Sequence, residues 1–144
     1  MNRRLFLTQT DTTMGFVSQD ASKIDSAKNR LPDKHYIRVV NSLQTLQDFT
    51  RVPTRHKNRV RRAKRTTFIM PNGYSFRVVK DTKHNLLLDR VKWCYSSSAN
   101  LSGAEYDKAY AKDKAEIIIF SPTTTLGRAS KIYRLGQGRI KSIR

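Results

Sequence analysis

With one cysteine, Cys94, among 144 residues, the chain cannot form an internal disulfide. No second Cys or His stands near Cys94 at metal-ligand spacing, so its thiol is expected in the core. Apolar runs fall far short of the roughly 20 residues that cross a bilayer. Met1-Asn2-Arg3-Arg4 is followed by only three apolar residues, too few for a signal peptide. These absences lead to the expectation of a cytoplasmic protein without a membrane partner. A Walker A loop, a GxGxxG turn, an HExxH helix and a CxxC pair are all missing, which removes the common nucleotide-loop, dinucleotide, zinc-peptidase and thiol-redox classes. No nucleophile elbow accompanies His35, His56 or His84, which read as surface residues rather than catalytic bases.

Acid is the other scarcity. Eleven Asp and Glu against 29 Lys and Arg leave a net charge of +18. Such an excess suits nucleic acid, a nucleotide or an anionic surface, although part of it can be plain solvated surface. Residues 51–65 hold eight Lys or Arg and no acid. This block is either a phosphate-contacting strip or a solvated helical face. The hydrophobic residues, 38% of the chain, gather in short runs such as Ile117-Ile118-Ile119-Phe120, which argues for a folded core.

The pattern predicts strands over 4–8, 36–40, 66–70, 74–79, 93–95 and 117–120, with a terminal pair at 123–126 and 131–135. Asp20 can cap a helix carrying Ala21, Ile24, Ala27 and Leu31 and stopped by Pro32, which puts Lys28 and Arg30 at its end. Ser42 can cap another through Leu43, Leu46 and Phe49. A short helix is expected at 86–88 and a longer one over 104–114. Pro71-Asn72-Gly73 reads as a hairpin turn, and 8–16 and 96–103 read as hydroxyl-rich loops. The class is α/β: residues 1–144 as one domain, a twisted mixed sheet flanked by helices, open and with a concave basic pocket. Polar loops at strand ends, where open α/β sheets bind ligands, fall at 10–13, 28–34, 96–102 and 121–125, with Arg134 nearby. Hydroxyls and amides there suit a small polar substrate, and Lys and Arg suit phosphate.

Several of these segments, in order, resemble the threonylcarbamoyl-AMP synthase (YrdC-like) family. Thr10-Asp11-Thr12-Thr13-Met14-Gly15-Phe16 is similar to its PT(E/D)TxYGL loop, and Lys28-Asn29-Arg30 with Pro32-Asp33-Lys34 to its KxR motif and continuation. Thr67-Phe68-Ile69 resembles a family strand, and Arg77-Val78 its RVP element. Ser98-Ala99-Asn100-Leu101-Ser102-Gly103 resembles its SANxSG loop, and Pro122-Thr123 with Ile132-Tyr133-Arg134-Leu135-Gly136 its ending. The sequence departs from the family pattern at Gln9, Met14, Val39 and Leu135.

The resemblance implies a YrdC-like fold and an enzyme that condenses L-threonine, bicarbonate and ATP into threonylcarbamoyl-adenylate and pyrophosphate. A magnesium ion would accompany the ATP, and no metal site on the protein itself is expected. The product would pass to downstream tRNA-modification proteins. By the same resemblance Lys28 and Arg30 are the catalytic pair. Arg30, Lys34, Thr67, Ser98, Asn100 and Arg134 would bind ATP, and Thr12 and Thr123 would bind threonine. Two other readings stay open: a non-catalytic relative that binds double-stranded RNA or tRNA, and a related enzyme with another carbamoylated or nucleotide substrate.

Overall fold

A computed structural model describes residues 3–30, 35–80, 82–101, 103–119, 129–136 and 138–144. The elements in chain order are β1 (Phe6–Gln9), β2 (Met14–Ser18), α1 (Ala21–Lys28), β3 (Ile37–Val40), α2 (Leu43–Gln47) and a 3-10 turn (Thr54–His56). They continue with α3 (Lys57–Arg62), β4 (Thr66–Ile69), β5 (Ser75–Val78), α4 (Thr82–Val91), β6 (Trp93–Ser98), α5 (Lys108–Lys114), β7 (Ile117–Ile118), β8 (Lys131–Leu135) and β9 (Ile140–Ser142). Among the described residues the strands form one nine-stranded sheet, ordered β7-β1-β2-β6-β3-β5-β4-β8-β9. Three pairs are parallel (β1/β7, β3/β5, β4/β8) and the others antiparallel, so the sheet is mixed, as the sequence leads one to expect.

Local chemistry accounts for most element ends. The Asp20 side chain accepts from the Ser22 amide and starts α1. The helix stops at Lys28, earlier than expected, because Asn29 turns left-handed (φ 51°) and its N–H caps the Asp25 and Ser26 carbonyls. Arg30 therefore leaves the helix axis, while Leu31 and Pro32 lie outside the described residues. Between β4 and β5, Gly73 adopts φ 88° in the expected turn. Helix α5 begins at Lys108 rather than near Ala104, since Asp107 accepts from the Ala109 and Tyr110 amides.

Helices cover both faces of the sheet. Val39 and Val40, neighbours on β3, enter different clusters, as the period of two requires. Val40 packs with Leu43, Leu46 and Val60 of α2 and α3 over Phe68 and Phe76. Val39 packs with Leu88 and Val91 of α4, Val17 and the fully buried Cys94, whose thiol burial pushes up to about 12. A third cluster joins Ile24 and Ala27 of α1 and Ala111 of α5 to Leu7 and Phe16.

Both expected hydroxyl-rich loops contain strand. β2 occupies 14–18 between β1 and β6, which leaves only 10–13 as the turn. β6 runs on through Ser98, pairing Ser97 with Phe16 and Ser98 with Gly15. At the other edge β8 pairs with β9, a strand the sequence reading missed. The strand expected at 123–126 lies outside the described residues.

Candidate functional site

A cleft of about 310 Å³ opens where the 10–13 turn, the end of α1 and the strands β3, β5 and β6 come together. Thr12 and Thr13, Ser96 to Ser98 and Ser130 supply hydroxyls to its wall, and Arg30, Arg77 and Arg144 supply guanidinium groups.

The turn is tied from inside. The Thr10 hydroxyl donates to the Thr13 carbonyl at 2.6 Å and accepts from the Thr12 and Thr13 amides at 3.2 and 3.1 Å. Behind it Gly15 leaves no room for a side chain, for an added Cβ would stand 2.8 Å from Thr10 Cγ2 and 3.1 Å from the Ser97 carbonyl oxygen. The turn is thus pressed onto β6, and the Thr12 hydroxyl is held 3.2 Å from that of Thr10.

Lys28 lies beneath this wall and is 1% exposed. Its ammonium donates at 2.7 Å to each of the Ser98 and Asn100 carbonyls and at 3.3 Å to Asn100 Oδ1. Desolvation, then the nearby Arg30 charge, pulls its pKa down to about 8. The Asn100 side chain also donates to the Leu101 and Ala104 carbonyls. Lys28 and Asn100 together fasten the 98–104 segment.

A buried ionic cluster sits behind the cleft. Arg77 Nε on β5 stands 3.2 Å from Asp11 Oδ1, with both side chains 5% exposed, and His84 Nδ1 lies 4.0 Å from the same oxygen. Burial lowers the Arg77 pKa, and the Asp11 carboxylate opposes that. Arg30 stacks its guanidinium over the Tyr36 ring, 5.4 Å from the centroid, while Tyr36 donates its hydroxyl to Asp25.

Of the residues expected at the site, Thr12, Arg30 and Ser98 line the cleft. Thr67, buried on β4, pairs its hydroxyl with that of Ser130 at 3.0 Å and so supports the wall. Lys28 and Asn100 stand behind the wall. Arg134 is exposed on β8, opposite Ile69 and Lys141, and the β8 segment reaches the cleft through Ala129 and Ser130 instead. Lys34 and Thr123 lie outside the described residues. The sequence reading gave no role to Asp11, Arg77, Ser130 or Arg144. The signal for Arg77 was available: a charge between Phe76 and Val78 in an apolar strand is costly unless paired.

The expectation of three surface histidines is corrected at two positions. His56 is buried with Nε2 3.2 Å from the Gly136 carbonyl oxygen, and His84 is buried beside Asp11. Only His35 is exposed, at the edge of the cleft.

No family model matches the sequence, and no curated protein matches it. Solved structures do match in fold. Sua5 of P. abyssi, in a crystal structure complexed with L-threonine, superposes with a TM-score of 0.82 at 20% identity, over 98% of this chain and 50% of that one. E. coli YciO gives 0.74 at 16% identity over 98% and 82%, and MTH1692 of Methanobacterium thermoautotrophicum 0.68 at 17% over 98% and 79%. The chain spans about half the length of P. abyssi Sua5. The nine-stranded sheet of the described residues and its flanking helices are therefore arranged in the fold shared by Sua5 and YciO, the YrdC-like fold that the motifs imply.

Proposed function

We propose that the cleft binds ATP and L-threonine and forms threonylcarbamoyl-adenylate. The observation that carries this reading is the pairing of guanidinium groups with a hydroxyl wall in one cleft, on a fold shared with a protein crystallised with L-threonine. Arg30, Arg77 and Arg144 match phosphate and carboxylate oxygens, whereas Thr12, Ser96 and Ser98 match an amino acid's polar groups. Threonine's amine adds to bicarbonate with loss of water. The resulting carbamate oxygen then attacks the α-phosphorus in line, and pyrophosphate leaves. Little proton transfer is needed from the protein. Its work is to hold the carbamate against the α-phosphate and to neutralise charge on the phosphate oxygens. Lys28 acts here by fixing the Ser98 segment. Magnesium would enter on the phosphates of the nucleotide. Among the described residues no cluster of His, Cys, Asp and Glu suits a metal, and the carboxylate of Asp11 is held by Arg77.

The test is incubation with ATP, bicarbonate and labelled threonine, with pyrophosphate and the labelled adenylate as expected products. In parallel, threonine added with ATP should raise the melting temperature more than serine or valine does, because the site meets both hydroxyl and methyl. Equal shifts with all three would remove the threonine site.

The second reading, a surface that holds double-stranded RNA or tRNA, rests on where the charge lies. Residues 51–80 and 117–144 hold 16 of the 29 Lys and Arg and none of the 11 acids. The other 86 residues are nearly neutral, with 13 bases and 11 acids. On α3, Arg59, Arg61 and Arg62 are exposed while Val60 faces the core. RNA affinity should fall steeply with salt, and converting those three arginines to Gln should flatten the slope without loss of adenylate formation. An unchanged slope would refute the α3 surface.

A further inference from the structure

Arg38 on β3 is surrounded by aromatic rings. Its register partners are Phe76 on β5 and Tyr95 on β6, and its guanidinium carbon lies 4.9 Å from the ring centroid of Phe49, 5.2 Å from Tyr95, 5.3 Å from Tyr74 and 5.8 Å from both Phe76 and Trp93. Nη2 donates to the Tyr95 hydroxyl at 3.0 Å, and the buried Nε has no hydrogen-bond partner among the described residues. Among the described residues no carboxylate forms an ion pair with it. Ring faces attract a cation but offer no acceptor for its N–H groups, so the guanidinium is left short of an anion.

Beside it is a second cavity of about 200 Å³, lined by Arg38, Tyr74, Ser75 and Tyr95 and divided from the main cleft by His35 and Tyr36, which border both. Besides the guanidinium, its lining hydroxyls can each donate a hydrogen bond. Tyr95 accepts from Arg38 and keeps its own proton to give, and Ser75 adds another hydroxyl. Tyr74, 45% exposed and edge-to-face with His35 at 5.8 Å, forms an aromatic rim.

We infer that this cavity is a binding site for a small oxyanion, a carboxylate or a phosphate, taken by Arg38 together with the Tyr95 and Ser75 hydroxyls and independent of the ligands of the main cleft. The aromatic walls favour an anion attached to a flat body.

Trp93, the only tryptophan of the chain, stands in the ring cluster and reports on the site. Benzoate and inorganic phosphate are titrated separately into the protein at constant ionic strength, and Trp93 emission is followed. A saturable change is expected with at least one of them. Which anion saturates at lower concentration separates carboxylate from phosphate. Arg38→Met, which keeps a stem long enough to pack on the rings, should weaken binding at least tenfold, and Arg144→Met, which alters the main cleft at a residue that does not border the second cavity, should leave it unchanged. Absence of saturation with either anion, an undiminished response in Arg38→Met, or loss of the response in Arg144→Met would each overturn the site. Should Arg38→Met fail to fold, the Arg38 Nε–H resonance of the unmodified protein decides: benzoate or phosphate must shift it, and an unmoved signal refutes the site.

Discussion

Replacing Arg30 with alanine separates a ligand-binding arginine from a helix-end cation. In the helix-end reading Arg30 merely complements the dipole of α1, an effect of about 0.3–1 kcal/mol. The left-handed Asn29 already removes Arg30 from that helix and turns it toward the cleft, where it rests on Tyr36. Alanine therefore forfeits one cation–π contact, about 0.5–1 kcal/mol. At this chain length that lowers the melting temperature by roughly 2–4 °C. If Arg30 holds phosphate, it also forfeits charge-assisted hydrogen bonds of about 1.5–3 kcal/mol each, which is a loss of roughly 10-fold to 150-fold in ATP affinity for one bond. Arg30→Lys should recover little of this, since an ammonium cannot reproduce the two-pronged guanidinium contact. Titration calorimetry with ATP on both variants, with melting curves alongside, reads the two effects separately. Unaltered ATP affinity in Arg30→Ala would refute the assignment, whatever its effect on melting.

Two further predictions concern the wall of the cleft. The Lys28 pKa of about 8 lies below the ordinary 10.5, so from about pH 8 to 10.5 the unfolded chain binds more protons than the folded one and stability gains with pH from this group. Unfolding free energies across that window should rise relative to Lys28→Met, and parallel curves for the two proteins would refute the shift. Gly15→Ala places a methyl 3.1 Å from the backbone oxygen of Ser97, which cannot swing aside. About 1–3 kcal/mol of stability should be lost in chemical denaturation, along with threonine binding. Unchanged stability would show that the turn is not pressed onto β6.

The sequence was easiest to read where a short-range rule decides the outcome. Asp20 as a cap, Asn72-Gly73 as a turn and the apolar spacing of Leu43 and Leu46 needed no partner from elsewhere. It misled at β2, where the hydroxyls of 8–13 carried the loop reading on into the apolar Met14-Gly15-Phe16, and at the end of β6, where Ser96 to Ser98 stand in place of apolar residues and blur the alternation by which strands are recognised. The role of Lys28 was hidden for another reason. Its partners, the Ser98 and Asn100 carbonyls, are 70 and 72 residues away and belong to the backbone, which no side-chain pattern reveals. Basic neighbours made His56 look like a surface residue, yet its fixed partner is a carbonyl 80 residues on.

Where the charges are buried says more about the site than how many there are. Nearly all of the net +18 lies in stretches whose cations are largely exposed, and an exposed arginine costs little to keep. Arg77 is different. Its strand neighbours Phe76 and Val78 are buried and apolar, and an apolar residue at 77 with another at 11 would give a core at least as stable, because a buried ion pair rarely recovers its desolvation. Stability alone therefore does not explain the Asp11–Arg77 pair, and neither does it explain an ammonium at Lys28 that is 1% exposed. Both lie against the same cleft. Arg77 lines it, Asp11 fixes Arg77 from behind, and Lys28 fixes the serine wall opposite. The costly charges thus converge on one place, Arg77 in the wall of the cleft and Asp11 and Lys28 behind it, and this sets the cleft apart from the more strongly charged but solvated surface of α3.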